Sequence, residues 1–143
     1  ILLDRIKEIA DPKREAIATA NLLYSMQEEL SEISVKLQTG KDAEAIQIIV
    51  QFTELVQKLF RIIPHLSAKG SDIFTIKIKG KTFGEFSKEM NEILKELIDA
   101  FSSKDSVLIG DLLEYEIAPR IEDLYSYVNT ASDQQGETGG NQG

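Results

Sequence analysis

Five carboxylates, Glu85, Glu89, Glu92, Glu96 and Asp99, recur at helical spacing and fall on one face of a helix. Carboxylates so placed could ligate a metal ion. A di-metal site in a helical bundle needs carboxylates that project inward, usually with Glu-x-x-His pairs on facing helices. Here the stripe lies opposite the apolar positions Phe83, Phe86, Met90, Ile93, Leu94, Leu97 and Phe101. Lys88 and Lys95 stand three residues after Glu85 and Glu92, within reach for ion pairs. The chain has one histidine, His65, which follows Pro64 at a helix end with no carboxylate motif beside it. The stripe therefore reads as a solvated face, and neither a metal nor a cofactor is expected.

Two further groups invite a chemical reading. Gly80-Lys81-Thr82 stands between an extended segment and a helix, the setting of a phosphate-binding loop. That loop needs a glycine five residues before its second glycine, and Thr75 stands there instead. A turn glycine, a solvated lysine and a helix-capping threonine are expected. Glu114 is different. On a helical wheel it falls near Val107, Ile121 and Tyr125, on the apolar side, where a carboxylate needs a polar partner or a raised pKa. Glu114 with its neighbour Tyr115 is the candidate polar site; the alternative is a peripheral glutamate whose carboxylate reaches solvent. Tyr125 and Tyr127 read as packing residues. Glu89-x-x-Glu92 and Glu96-x-x-Asp99 resemble the paired acidic motifs of helical nucleotide pyrophosphatases, but they share one helix rather than two facing ones. With no cysteine in the chain, disulfides, thiolate metal sites and cysteine nucleophiles are excluded. No catalytic residue is identified.

These groups must be positioned by helices. Residues 1–10 have helical spacing, and Asp11-Pro12 then starts a new helix, with Asp11 as its cap. Ala16, Ala20, Leu23, Leu30 and Leu37 form a stripe that ends at Thr39-Gly40. A second helix runs from about Asp42 to Ile63, with Ala45, Ile49, Phe52, Val56, Leu59 and Ile63 on its main face. Ile46, Ile48, Leu55, Phe60 and Ile62 widen that face, as in a helix with several neighbours. Thr82 and Glu85 form a capping-box pattern ahead of the third helix. Ser103 could cap the fourth, which reads from about Lys104 to Asn129 with Val107, Leu113, Ile117, Ile121, Leu124 and Val128 as its stripe. Leu108, Leu112 and Tyr115 suggest burial on a second side. Pro119 should bend this helix.

At 143 residues with 42% hydrophobic content, the chain can bury a core of its own. The expected organisation is one helical domain over residues 1–129 and a flexible polar tail over 130–143. Short connections favour antiparallel neighbours, so the fold class is all-α, an up-down four-helix bundle with a short strand or hairpin insert near residues 73–79. The net charge is −8, and residues 81–129 carry 11 acidic against 5 basic groups. Such a surface repels phosphate backbones and anionic lipids, so neither nucleic acid nor membrane is an expected partner. No apolar run reaches the length of a membrane span and no signal-peptide pattern is seen, so a cytoplasmic location is expected.

The insert Ile73-Phe74-Thr75-Ile76-Lys77-Ile78-Lys79 alternates apolar and polar residues. A strand's backbone groups need a partner, so it either folds back in a short hairpin or pairs with another chain. In the second case Phe74, Ile76 and Ile78 cover the bundle while the strand edge joins a second copy or a partner peptide.

Gly80-Lys81-Thr82-Phe83, Asn91 to Leu97 (NEILKEL) and Lys104 to Pro119 (KDSVLIGDLLEYEIAP) resemble the C-terminal half of an uncharacterised bacterial helical family. The resemblance implies helices, a strand-like insert and an acidic final helix, and transfers no activity. In size and charge the chain is also similar to small acidic helical chaperones of flagellar and secretion systems. The expected function is a cytoplasmic interaction or assembly module without catalytic activity, chaperone-like toward a helical partner. A homodimer is expected, with a helical or extended peptide of another protein as the further partner. The alternative is a small-ligand-binding or hydrolytic bundle with its site near Glu114.

Overall fold

The computed structural model describes residues 11–66 and 76–141, with side-chain surroundings up to Ala131. The helix expected over residues 1–10 and the strand residue Phe74 lie outside the described residues. The elements are helices and one antiparallel hairpin.

The first rod is three consecutive helices, α1 (Pro12–Ser25), α2 (Gln27–Ser31) and α3 (Ile33–Gln38). Asp11 caps it, its Oδ1 accepting from the Arg14 N–H at 3.4 Å, with Pro12 in the first turn. The sequence pattern suggests one continuous helix here, yet the ladder is interrupted at Met26 and Glu32. The Ser25 hydroxyl donates to the Leu22 carbonyl at 2.8 Å and the Ser31 hydroxyl to that of Glu28 at 2.6 Å. Hydroxyls that bond back to the preceding turn compete with the helical ladder and bend it. Gly40, at φ +80°, then ends the rod.

The second rod is α4 (Asp42–Ile62), continued by a 3-10 turn at Ile63–Leu66. Pro64 lacks an N–H and falls where the α-helix stops. The third is α5 (Phe83–Ser102). Its capping box is complete: Thr82 Oγ1 accepts from the Glu85 N–H at 3.1 Å, and Glu85 Oε1 accepts from the Thr82 N–H at 3.0 Å.

The fourth rod comprises α6 (Ser106–Asp111), a wide π-type segment at Leu112–Ile117, and α7 (Ala118–Asn141). Its cap is Asp105, whose Oδ1 accepts from the Leu108 N–H at 3.1 Å, rather than Ser103, which closes α5. Pro119 gives a physical reason for the π segment. It cannot donate to the carbonyl four residues back and its ring crowds that carbonyl; widening the preceding turn relieves both problems. The Ala118 N–H accordingly reaches the Leu113 carbonyl, five residues back. The helix then continues past Asn129, where the apolar pattern stops, because each added residue closes a backbone bond whether or not it packs.

The beginning of the first rod lies against α7 and its end against α6, while α4 packs along α1 and α3. α5 packs on α6 and the π segment. Phe52, Val56, Leu59, Ile63, Met90, Leu97, Ile109, Ile117 and Ile121 are essentially fully buried between the rods. Apart from Thr19, the buried core is apolar among the described residues.

Candidate functional site

The insert forms β1 (Lys77–Ile78) and β2 (Lys81–Thr82), paired antiparallel with Lys77 opposite Thr82 and Ile78 opposite Lys81. The turn residues Lys79 and Gly80 have φ of +56° and +82°, the left-handed pair that a two-residue hairpin uses. The Phe83 N–H donates to the Ile76 carbonyl at 3.0 Å, which extends the hairpin by one bond. Ile76 and Ile78 are buried in the core. One edge of β1 is thus paired within the chain, and Ile73 to Thr75 of the expected strand lie outside the described residues. Gly80 and Thr82 act as turn and cap residues, as expected, while Lys81, expected to be solvated, pairs with Glu89.

Glu114 and Tyr115 lie on the π segment, and both are exposed. Tyr115 and Leu108 are not buried on a second side as expected, and Val107, placed on the main stripe by its spacing, is 71% exposed. The wide turn explains all three. A π segment adds a residue to the helix, so a wheel of constant pitch misaligns everything upstream of it. Ile109 takes the buried position instead.

Glu114 nevertheless lines a cleft of about 560 Å³ between the first and fourth rods. Leu30, Val107, Leu113 and Ile121 supply apolar walls, while Asp111 and Glu114 supply carboxylates. The opposite wall carries Gln27, Ser31, Ser34 and Gln38. Ser34 donates to the Ser106 carbonyl at 3.0 Å, and Gln38 donates to the Ser106 hydroxyl at 3.3 Å, which closes one end. A Cβ on Gly110 would come within 3.0 Å of Ser34 Oγ, so the glycine permits this close approach. The Gln27 side-chain nitrogen is buried and meets no acceptor. The four residues of this wall escaped the sequence reading. Their signal was present as uncharged polar side chains at 4-3-4 spacing, one face of a helix.

A second concavity, of about 470 Å³, lies between α4 and α5. These rods meet near the hairpin, where Gln57 donates to Asn91 at 2.8 Å and Phe60 packs edge-on to Phe83 and Phe86. Beyond the hairpin end, Lys104, just after α5, pairs with Asp42 at the start of α4 at 3.6 Å. The groove is lined by Ile46, Ile49, Val50, Ile98 and Phe101, with Glu54 as its charged residue. Ile46, Val50 and Ile98 are each about half exposed, at 51%, 48% and 50%.

The acidic stripe of α5 faces outward beside the fourth rod. Glu89 accepts from both Lys81 and Arg120, and these two bonds, Lys81's first, hold its carboxyl below the ordinary value. Among the described residues no group of acidic or histidine side chains could hold a metal. His65 is exposed on the 3-10 turn. Burial raises the Tyr127 phenol above its ordinary value. None of the helices in the described residues is long and apolar enough to cross a membrane.

A family model described as "Domain of unknown function (DUF8042)" matches residues 16–127. An uncharacterized protein of Treponema pallidum (strain Nichols) is 34% identical over 95 residues, which cover 66% of this chain and 47% of that relative. The chain thus spans about half the length of the curated relative it matches. No solved structure matches the chain significantly.

Proposed function

We propose that this chain, which belongs to the DUF8042 family of unknown function, is a non-catalytic interaction module whose working surface is the groove between α4 and α5. The observation that carries the reading is the pairing of half-exposed Ile46 and Val50 on one wall with half-exposed Ile98 on the other. Monomers seldom leave such side chains together in one open concavity. In the up-down arrangement we favour for the rods, this is the seam bordered by the Gln57–Asn91 bond toward the hairpin and by the Lys104–Asp42 ion pair, at 3.6 Å, at its other end. Two neighbouring helices with exposed apolar side chains facing one groove offer a trough for a third, read by apolar side chains at i, i+4 and i+7. Glu54 sits in the trough, and the chain carries −8 overall. The occupant is therefore an amphipathic helix of another protein with a basic polar face. Binding of a helical client in the cytoplasm is the chaperone-like role that fits. The hairpin pairs one edge of β1 within the chain, so the groove rather than the strand carries the interaction in this reading.

The test is fluorescence anisotropy with a labelled 15-residue peptide of Leu and Lys, its Leu residues at i, i+4 and i+7. A second peptide keeps the Lys residues and replaces each Leu by Ser. Binding of the first, at least tenfold weaker for the second and for Ile98→Glu, supports the reading. Equal binding of both peptides would mean charge attraction alone and overturn it. A dimer in light scattering that dissociates in Ile98→Glu would place a second copy in the groove, and would also overturn it.

A further inference from the structure

We infer that the cleft between the first and fourth rods is a binding site for a small organic ammonium ion that also carries an oxygen acceptor, a role separate from the α4–α5 groove. The cleft joins four features that point to a ligand of this chemistry. Asp111 and Glu114 line it and no basic side chain does, so its charge favours a cation. Leu30, Val107, Leu113 and Ile121 favour an aliphatic body, as in small-molecule sites that place a few polar groups on apolar walls. Gln27 lines the cleft while its side-chain nitrogen is buried without an acceptor, so a turn of the amide toward the cleft would let it donate to a ligand hydroxyl. The π segment is of a type that recurs at functional sites, and Glu114 lines the cleft from it.

The recognition is divided between the rods. The fourth rod supplies charge through Asp111 and Glu114, which are three residues apart and share a helix face. The first rod supplies neutral donors and acceptors through Gln27 and Ser31. Ser34 and Gln38 are committed to Ser106 and hold the two rods together at the cleft's end. The ligand class is then an amino alcohol of a few carbons. A neutral diol lacks the charge, and a carboxylate has the wrong one.

The experiment is a two-dimensional 15N–1H NMR titration of the full chain with 6-amino-1-hexanol, 1,6-hexanediol and hexanoate. The expected result is a saturable shift of the Gln27 side-chain amide and the Gly110 backbone amide with the amino alcohol, and none with the other two. Glu114→Gln should weaken that response at least fivefold, while Glu96→Gln on the acidic face of α5 leaves it unchanged. The same spectra report whether each variant is folded. No shift with the amino alcohol would overturn the inference. So would shifts confined to α5, or an equal loss in Glu96→Gln, since either reflects general attraction of cations to an acidic chain. The α4–α5 groove is untouched by Glu114→Gln, so the peptide experiment and this one can fail independently.

Discussion

Arg120 on α7 and Glu89 on α5 meet at 3.0 Å, and the same guanidinium reaches Glu116 at 3.0 Å. Glu89 also accepts from Lys81, so one carboxylate ties the hairpin, the third rod and the fourth rod together. Its pKa is lowered from an ordinary value of 4.5, and so is that of Glu85, through the Thr82 backbone and hydroxyl bonds. A carboxyl with a depressed folded pKa contributes stability that is present above its unfolded value and is lost as pH falls through the folded one. Wild type should therefore melt above Glu89→Gln at pH 7, with the gap closing as pH drops from about 4.5. Melting curves of both proteins between pH 3 and 7, at about 0.1 M salt, measure this directly. A gap that stays constant across the range would show that the bonds do not depend on the charge of Glu89.

Thr82 caps α5 in both directions, by its hydroxyl and through Glu85. Thr82→Ala removes the hydroxyl and should cost about 1 kcal/mol. For a chain of this size that is a fall of roughly 4 °C in melting temperature. Thr82→Ser keeps the acceptor and should recover most of the loss.

The helix pattern, the capping box and the turn at Gly80 were legible because each is local: period, cap chemistry and backbone freedom reside in a few consecutive residues. The acidic stripe of α5 was legible for the same reason. The fourth rod was not, because Pro119 acts on the register of the residues before it. Val107 lies upstream of that shift and Tyr115 within it, and they are exposed at 71% and 65% where the wheel buried them. The cleft was half legible. Glu114 stood out as a carboxylate on an apolar face, but its opposite wall belongs to a helix some 80 residues earlier in the chain. Which polar stripe meets which carboxylate is set by rod packing, and no local pattern encodes it. The groove stayed hidden for a related reason. Ile46 reads as part of the apolar face of α4, yet it is half exposed where α4 borders the groove.

The hairpin turn is sensitive at one residue and improvable at the next. Gly80 has φ +82°, where a Cβ is strained whatever the surrounding space. Gly80→Ala should destabilise by about 1 kcal/mol. Lys79, at φ +56°, already bears that strain, and asparagine tolerates the left-handed region better. Lys79→Asn should raise the midpoint of urea unfolding slightly. The ion pair it sacrifices, Lys79 with Asp123 at 3.9 Å, is three-quarters exposed on the lysine side and contributes little. A lower midpoint for Lys79→Asn would mean that this pair outweighs the turn.

Phe52 and Ile98 separate the two demands on the apolar residues of α4 and α5. Phe52 is 0% exposed, whereas Ile98 is 50% exposed at the groove. Phe52→Ala empties part of the core and should cost about 3–5 kcal/mol, a large share of the stability of a domain this size. Ile98→Ala removes a side chain already half in water and should change stability by less than about 0.5 kcal/mol. Urea unfolding of both variants measures the contrast. If Ile98→Ala costs as much as a core truncation, the two rods close over Ile98 in solution and the groove is not an open surface. If it costs nothing while the basic amphipathic peptide loses affinity, Ile98 is retained for what the groove binds rather than for the fold that presents it.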